Sequence, residues 1–133
     1  MTPGITPVPI APHGIGECTR IARVLQLVGD KWTVLIVMQL GLRGTVRFNE
    51  LKRMIGGITQ RMLTLTLRSL ERDGMVARRV YPTVPPKVEY SLTPLGQSLL
   101  APINHLGGWA RENMDAIDGA RLEFDQAQQA AAE

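Results

Sequence analysis

The side chains best suited to recognition chemistry lie on one face of a predicted helix in the middle of the chain. Leucines recur there at helical spacing, which predicts an amphipathic helix over Gln60–Asp73 that begins after Thr59 and ends at Gly74. The other stripe of this helix carries polar side chains: Gln60, Arg61, Thr64, Arg68 and Glu71. Arginine side chains hydrogen-bond to the edge of guanine, and glutamine side chains hydrogen-bond to the edge of adenine. The stripe therefore favours recognition of base edges. Because any amphipathic surface helix shows a polar stripe, this interpretation depends on the rest of the chain.

Positive charge is concentrated in the same middle segment. The 133 residues carry a net charge of +3, but residues 18–101 hold 13 basic and 5 acidic side chains, whereas residues 102–133 hold 2 basic and 6 acidic ones. A basic region of this kind attracts a polyanion over part of the protein surface. The charge alone leaves two interpretations open, a nucleic-acid interface or a solvated basic face.

The remaining composition argues against several other classes of protein. A single cysteine excludes an internal disulfide framework and a cysteine-based zinc site, and His13 and His105 lack companion ligands in the sequence. No catalytic triad, paired carboxylates or phosphate loop stands out, so we expect neither an enzyme nor a bound cofactor or metal. The longest uncharged apolar run, Trp32 to Leu42, is 11 residues, and the N-terminus lacks the pattern of a secretory signal. These features predict a soluble, cytoplasmic protein without a membrane partner.

Short helices are predicted in the part of the chain that precedes the Gln60–Asp73 helix. Apolar residues at helical spacing predict a first helix over Ile21–Val28, and Asp30 is the expected N-cap of a second helix over Lys31–Leu42. Asn49 is the expected cap of a third, shorter helix. Residues 1–17 hold four of the nine prolines, which predicts an extended N-terminal arm without a core of its own.

After the polar stripe, the apolar period changes from 3.6 to 2 residues. Residues Val76–Pro82 and Lys87–Leu92 alternate, which predicts two strands joined by a stiff, proline-rich turn. Helices followed by a two-stranded hairpin form a winged helix-turn-helix, in which the wing braces the helix that enters the major groove.

Basic side chains outside the polar stripe are candidates for contacts with phosphates. Arg79 and Lys87 are expected beside the wing tip, although one of the two arginines Arg78 and Arg79 is also a candidate ion-pair partner of Glu89. Lys31, at a helix start, is a candidate phosphate contact and equally a plain exposed lysine.

A last helix completes the predicted domain. Thr93 is its expected cap, and an apolar stripe runs along it from Leu99 to Ile117, with a bend at Pro102 unless that proline lies near the start. The predicted organisation is therefore the N-terminal arm, a winged domain with dimerisation helices over residues 18–117, and an acidic, Ala/Gln-rich tail over residues 118–133.

Several segments resemble the HxlR-type bacterial transcriptional regulators. They are Gly29–Thr33 against "GGKWT", Arg47–Leu51 against "RFNEL", Ile58–Leu63 against "ISxxML", and Tyr81–Thr93 against "YPxVPPxVEYxLT", followed by Leu95-Gly96. The resemblance covers about residues 18–115, and its wing motif is long and specific. It implies a homodimeric winged-helix repressor or activator in which the first and last helices form the dimer. Asp30, where glycine is more usual, departs from the family pattern, and both chain ends lie outside it.

The combined prediction is an α+β fold, mostly α: a winged helix-turn-helix with terminal dimerisation helices. Its predicted function is sequence-specific binding, as a homodimer, to a palindromic operator in double-stranded DNA. The candidate DNA-binding residues are Lys31, Thr59, Gln60, Arg61, Thr64, Arg68, Arg79 and Lys87. Two alternatives stay open: a regulator whose small-molecule effector binds between the dimer helices, and a winged helix that binds only other proteins.

Cys18 is a candidate redox or electrophile sensor. It is expected just before the first helix, close to Arg20, and backbone N–H groups at a helix start favour a thiolate. Some relatives in the HxlR-type family use a cysteine at this place as a sensor, so the resemblance implies the same role here. A small residue buried at a dimer interface is an equal alternative.

Overall fold

The computed structural model describes residues 15–132, which form six helices and three strands. The helices are α1 (Ile15–Gly29), α2 (Lys31–Arg43), α3 (Phe48–Ile55), α4 (Gln60–Arg72), α5 (Pro94–Ser98) and α6 (Leu100–Ala132). The strands are β1 (Thr45–Arg47), β2 (Val76–Tyr81) and β3 (Lys87–Leu92). This mostly helical arrangement with a small sheet confirms the predicted fold class.

Local side-chain bonds explain where α2 and α4 begin. The Asp30 carboxylate accepts hydrogen bonds from the backbone N–H groups of Trp32 and Thr33, at 2.9 and 3.3 Å. The Thr59 hydroxyl accepts one from the N–H of Met62, at 3.1 Å. Both side chains are therefore the N-caps that the sequence predicted. The predicted Asn49 cap was wrong, because the N-cap residue is Arg47, α3 begins at Phe48, and Asn49 is already helical.

The three strands form an antiparallel sheet in the order β1-β3-β2. The β2–β3 hairpin is the predicted wing, and its register pairs Val76 with Leu92 and Tyr81 with Lys87. The additional strand, β1, pairs with the other edge of β3 and leads directly into α3. Its three residues are too few for an alternating pattern to stand out in the sequence.

One hydrophobic core joins the sheet to the helices around it. The buried core side chains are Ile36, Val37, Leu40, Val46, Leu51, Ile58, Leu63, Leu67, Leu70, Val76, Leu92 and Ile103. Helix α4 contributes its whole leucine stripe to this core, so its rotation about its own axis is fixed by packing. The face opposite the leucines is consequently presented to solvent in a defined orientation.

The turn after α4 is locked to the start of α5. The Thr93 hydroxyl donates to the carbonyl oxygen of Gly74 at 2.6 Å and accepts from the N–H of Gly96 at 3.1 Å. The Thr93 N–H donates to the carbonyl oxygen of Met75 at 3.0 Å. Gly96 is buried against Met75, where an added Cβ would collide with the Met75 carbonyl group. These contacts hold the base of the wing against the end of α4.

The C-terminal part differs from the single helix that the sequence predicted, although Pro102 lies near a helix start, the case in which no bend was expected. The helix is interrupted at Leu99, between α5 and α6. Pro102 is the third residue of α6, in the first turn, where backbone N–H groups have no acceptor within the helix. Helix α6 continues unbroken through Gly107-Gly108 to Ala132. Its 33 residues give a length of about 50 Å. Ile103 is its one buried residue among those described, so most of α6 projects from the domain.

The N-terminal helix begins earlier than predicted. Helix α1 starts at Ile15, so Cys18 lies inside its first turn rather than before it. Residues 15–17 of the predicted arm are helical, whereas residues 1–14 lie outside the described part of the chain.

Candidate nucleic-acid interface

The exposed face of α4 carries most of the predicted recognition residues. Gln60, Arg61 and Arg68 are exposed, and within residues 15–132 neither arginine forms an ion pair. Thr64 is half-buried, and its hydroxyl donates to the carbonyl oxygen of Gln60 at 2.9 Å, which leaves the oxygen available as an acceptor. Thr59 precedes them as the cap. The structure thus brings these five residues together on one helix end and face.

Two apolar side chains on this face were not among the predicted site residues. Leu65 is 52% exposed and Met62 is also exposed. Leu65 is two residues from both Leu63 and Leu67, about 200° around a helix from each, so it points away from the stripe they bury. This angular mismatch is the sequence signal that would have identified it.

An ion pair ties the wing to α4. The Arg78 Nε atom lies 3.3 Å from Glu71 Oε2, joining β2 to the last turns of the helix. Glu71, predicted on the polar stripe, thus faces the wing. The Tyr90 hydroxyl is nearby, and burial raises its pKa above the usual 10.0, against the opposing charges of Arg78 and Arg68.

The wing tip holds a second cluster, centred on Tyr81. The Arg79 guanidinium carbon lies 4.9 Å from the centre of the Tyr81 ring and the Lys87 ammonium 5.0 Å from it. Lys87 also pairs with Glu89 at 2.9 Å, and the Tyr81 hydroxyl donates to Glu89 at 3.2 Å. The Lys87 hydrogen bond, opposed by burial and supported by the smaller effect of the Tyr81 hydrogen bond, holds the pKa of Glu89 below its usual 4.5. Glu89 therefore pairs with Lys87 and not with Arg78 or Arg79.

This cluster separates the two predicted wing cations. Lys87 is half-buried and its charge is largely compensated by Glu89, which is ionised at neutral pH. Arg79 is exposed and its guanidinium is stacked on Tyr81 without a carboxylate partner among the described residues. Arg79 is therefore the stronger of the two candidates for a phosphate contact.

A basic cleft lies between α3 and the wing tip. It has a volume of about 580 Å³, and its lining includes three basic residues, Arg47, Arg53 and Lys87, and one acidic residue, Glu50. Neither Arg47 nor Arg53 is among the DNA-binding residues predicted from the sequence. Their approach to the wing depends on β1 pairing with β3, the strand that the sequence did not reveal.

Lys31 stands apart from these groups. It is exposed at the first residue of α2, and its ammonium lies 4.8 Å from the centre of the Trp32 ring. Within the described residues, no hydrogen bond or ion pair connects it to α4 or to the wing.

Between residues 15 and 132, no three histidine, cysteine, aspartate or glutamate side chains are grouped as a metal site requires. None of the helices described there has the length and apolar character needed to cross a bilayer.

Comparison with known proteins agrees with this geometry. The model of the HxlR-like helix-turn-helix family matches residues 27–118. The HTH-type transcriptional regulator YdeP of Bacillus subtilis is 47% identical over 98 residues, which are 74% of this chain and 76% of YdeP. The transcriptional regulator YtfH from Salmonella typhimurium superposes with a TM-score of 0.68 at 42% identity, over 76% of this chain and 89% of YtfH.

A third relative has been solved in two chemical states. The redox regulator HypR in its reduced form superposes with a TM-score of 0.69 at 43% identity, over 75% of this chain and 98% of HypR, and its oxidized form matches as well. These structures share the winged-helix fold of the present chain. The chain belongs to the HxlR-like helix-turn-helix family and is a transcriptional regulator of the helix-turn-helix type.

Proposed function

We propose that the protein binds a palindromic DNA operator as a homodimer, with one α4 in each of two major grooves. A two-fold dimer of this kind places its recognition helices about 34–36 Å apart, or a multiple of that distance. The observation that carries the proposal is the exposed face of α4, whose orientation is fixed by the buried leucine stripe and by the Arg78–Glu71 pair.

The candidate residues divide into two roles. Gln60, Arg61, Thr64 and Arg68 face outward on α4 and are proposed to contact base edges. Thr59, Lys31, Arg79 and Lys87 are proposed to contact phosphates, which position the protein without selecting a sequence. Because Glu89 compensates Lys87, Arg79 contributes more of the electrostatic attraction.

Arg61→Ala and Arg79→Ala are expected to weaken binding in different ways. The Arg61 variant should lose about 1–3 kcal/mol on the operator and relax base preference at one position of each half-site. The Arg79 variant should weaken operator and random duplex alike and lower the slope of log K against log salt by roughly one for each protomer, because each protomer releases one counterion fewer. Fluorescence anisotropy on both duplexes over a salt series measures this.

Arg121→Ala is the matched control, since Arg121 is an exposed arginine in the acidic part of α6 and should leave both quantities unchanged. Equal losses on operator and random DNA for Arg61→Ala would show that α4 does not read bases. A wild-type protein without salt-dependent affinity for any duplex would instead favour a winged helix that binds only proteins.

The proposed dimer is supported by the apolar side chains on the outer helices. Leu106, Trp109 and Met114 on α6 are each about half exposed, and Val24 and Leu25 on α1 are more than half exposed. A monomer that left these side chains of α1 and α6 in water would carry an unusually large exposed apolar surface. A second copy that packs its own α1 and α6 against them would bury it.

We also propose that this regulator responds to electrophiles or oxidants through Cys18. HypR, to which the chain is similar, is a redox regulator solved in reduced and oxidized forms. Cys18 is exposed in the first turn of α1, a helix that we assign to the dimer interface. A group added to its sulfur would change how the two chains pack and so how far apart the two α4 helices lie.

Treatment with a quinone, which adds to the thiolate, is expected to release the wild-type protein from its operator and to leave Cys18→Ser bound. Mass spectrometry confirms the adduct, and anisotropy measures the affinity. Modified wild type that binds as tightly as untreated protein would identify Cys18 as a packing residue. Loss of binding by untreated Cys18→Ser would assign it a structural role.

A further inference from the structure

Leu65 occupies an unusual place on the candidate interface. It lies near the middle of the exposed face of α4, one turn after Arg61 and about one turn before Arg68. Its side chain is 52% exposed, although buried positions on the same helix are filled by other leucines. The leucine is thus the apolar centre of a face flanked by two arginines that form no ion pair within residues 15–132.

The flanking charges indicate what kind of surface this leucine meets. Arginine is also common at protein–protein interfaces, but two arginines without a carboxylate partner within residues 15–132, in a segment with 13 basic and 5 acidic side chains, match a polyanion. In the major groove of DNA, the apolar feature of a base edge is the C5-methyl group of thymine. A leucine side chain that is held toward the groove by a fixed helix therefore matches that methyl group.

We propose that Leu65 is a specificity-determining residue that recognises the methyl group of a thymine in each half-site. This inference rests on the proposed function, since it requires α4 to enter the major groove. Four residues of helix rise about 6 Å, close to two base-pair steps of about 3.4 Å. Leu65 therefore recognises a thymine about two base pairs from the base that Arg61 contacts.

Deoxyuridine provides the direct test, because it differs from thymidine only by the missing methyl group. An operator is first selected from a random duplex library with the wild-type homodimer. Each thymine is then replaced by deoxyuridine, in both half-sites together, and affinities are measured by anisotropy. At one symmetric position the replacement should weaken wild-type binding about 15-fold, which is roughly four-fold for each methyl group removed from contact. Leu65→Ala should bind the thymine and deoxyuridine operators equally.

Two further variants separate a methyl contact from an indirect effect. Leu65→Ala should remain folded, because the side chain is exposed and alanine is the best helix former, and circular dichroism checks this. Leu95→Ala removes a leucine of the same 52% exposure from α5 and should keep the full deoxyuridine effect.

If the protein binds its operator with a steep salt dependence but no deoxyuridine replacement changes its affinity, the role of Leu65 is overturned. The proposed function is then left intact. A Leu65→Ala protein that retains the wild-type deoxyuridine penalty overturns the role of Leu65 equally. Failure of the selection to yield any operator overturns both proposals.

Discussion

Replacing Leu106 and Met114 together by glutamine is expected to convert the protein to a monomer and to lower operator affinity by at least ~100-fold. The size follows from linkage, since two half-site contacts that are joined in one particle gain about 10²- to 10⁴-fold in avidity. Both side chains are about half exposed on α6, so the monomer should still fold. Light scattering at micromolar concentration measures the mass, and anisotropy the affinity.

These point variants test the dimer more sharply than truncation does. A chain cut at Pro102 loses Ile103, which is buried in the core, and is expected to be poorly folded as well as monomeric. Leu42→Gln is the control, because Leu42 is an exposed leucine at the end of α2. A wild-type monomer at micromolar concentration would rule out the dimer, and a double variant that stays dimeric would place the contact elsewhere.

Gly96→Ala is expected to lower the free energy of unfolding by about 3 kcal/mol, at the upper end of the cost of overfilling a packed site. The added methyl group would collide with the carbonyl group of Met75, which is backbone and cannot rotate away, and would also press on Leu92. Relief of the collision must move α5 away from the turn after α4, so the bonds of Thr93 to that turn would lengthen or break. Urea denaturation measures the change.

Gly119→Ala is the matched control for this variant. Gly119 is exposed within α6, and a Cβ there meets nothing within 4 Å, so alanine should stabilise the helix by up to about 1 kcal/mol. A Gly96→Ala protein as stable as wild type would show that the base of the wing yields easily.

The features predicted correctly from the sequence are those set by neighbouring residues. Asp30 and Thr59 act as caps through bonds that span two or three residues, and the wing follows from the alternation in Lys87–Leu92 and the proline-rich turn before it. The missed features depend on distant contacts. Strand β1 forms because its backbone pairs with the edge of β3. The interruption at Leu99 separates α6 from α5, and Ile103 of α6 packs in the core.

In the candidate site too, features set by neighbouring residues were predicted and features set by distant contacts were missed. The polar face of α4 could be inferred because the leucine stripe defines its opposite side. Lys87 and Glu89 lie two residues apart in a strand and therefore share a face, but the ion pair predicted for Glu89 was with Arg78 or Arg79. Arg47 and Arg53 could not be assigned to a basic cleft, because nothing local to α3 indicates that the wing tip lies beside it.

The division of α4 into a packed face and a solvent face bears on how such regulators diversify. The stability of the domain depends on the leucines, whereas substitutions at exposed positions typically change stability by less than about 0.5 kcal/mol. After a gene duplication, one copy can therefore exchange the residues at positions 61, 65 and 68 without first accumulating compensating mutations in the core. New regulatory circuits can arise from a few codons while the same scaffold is inherited unchanged.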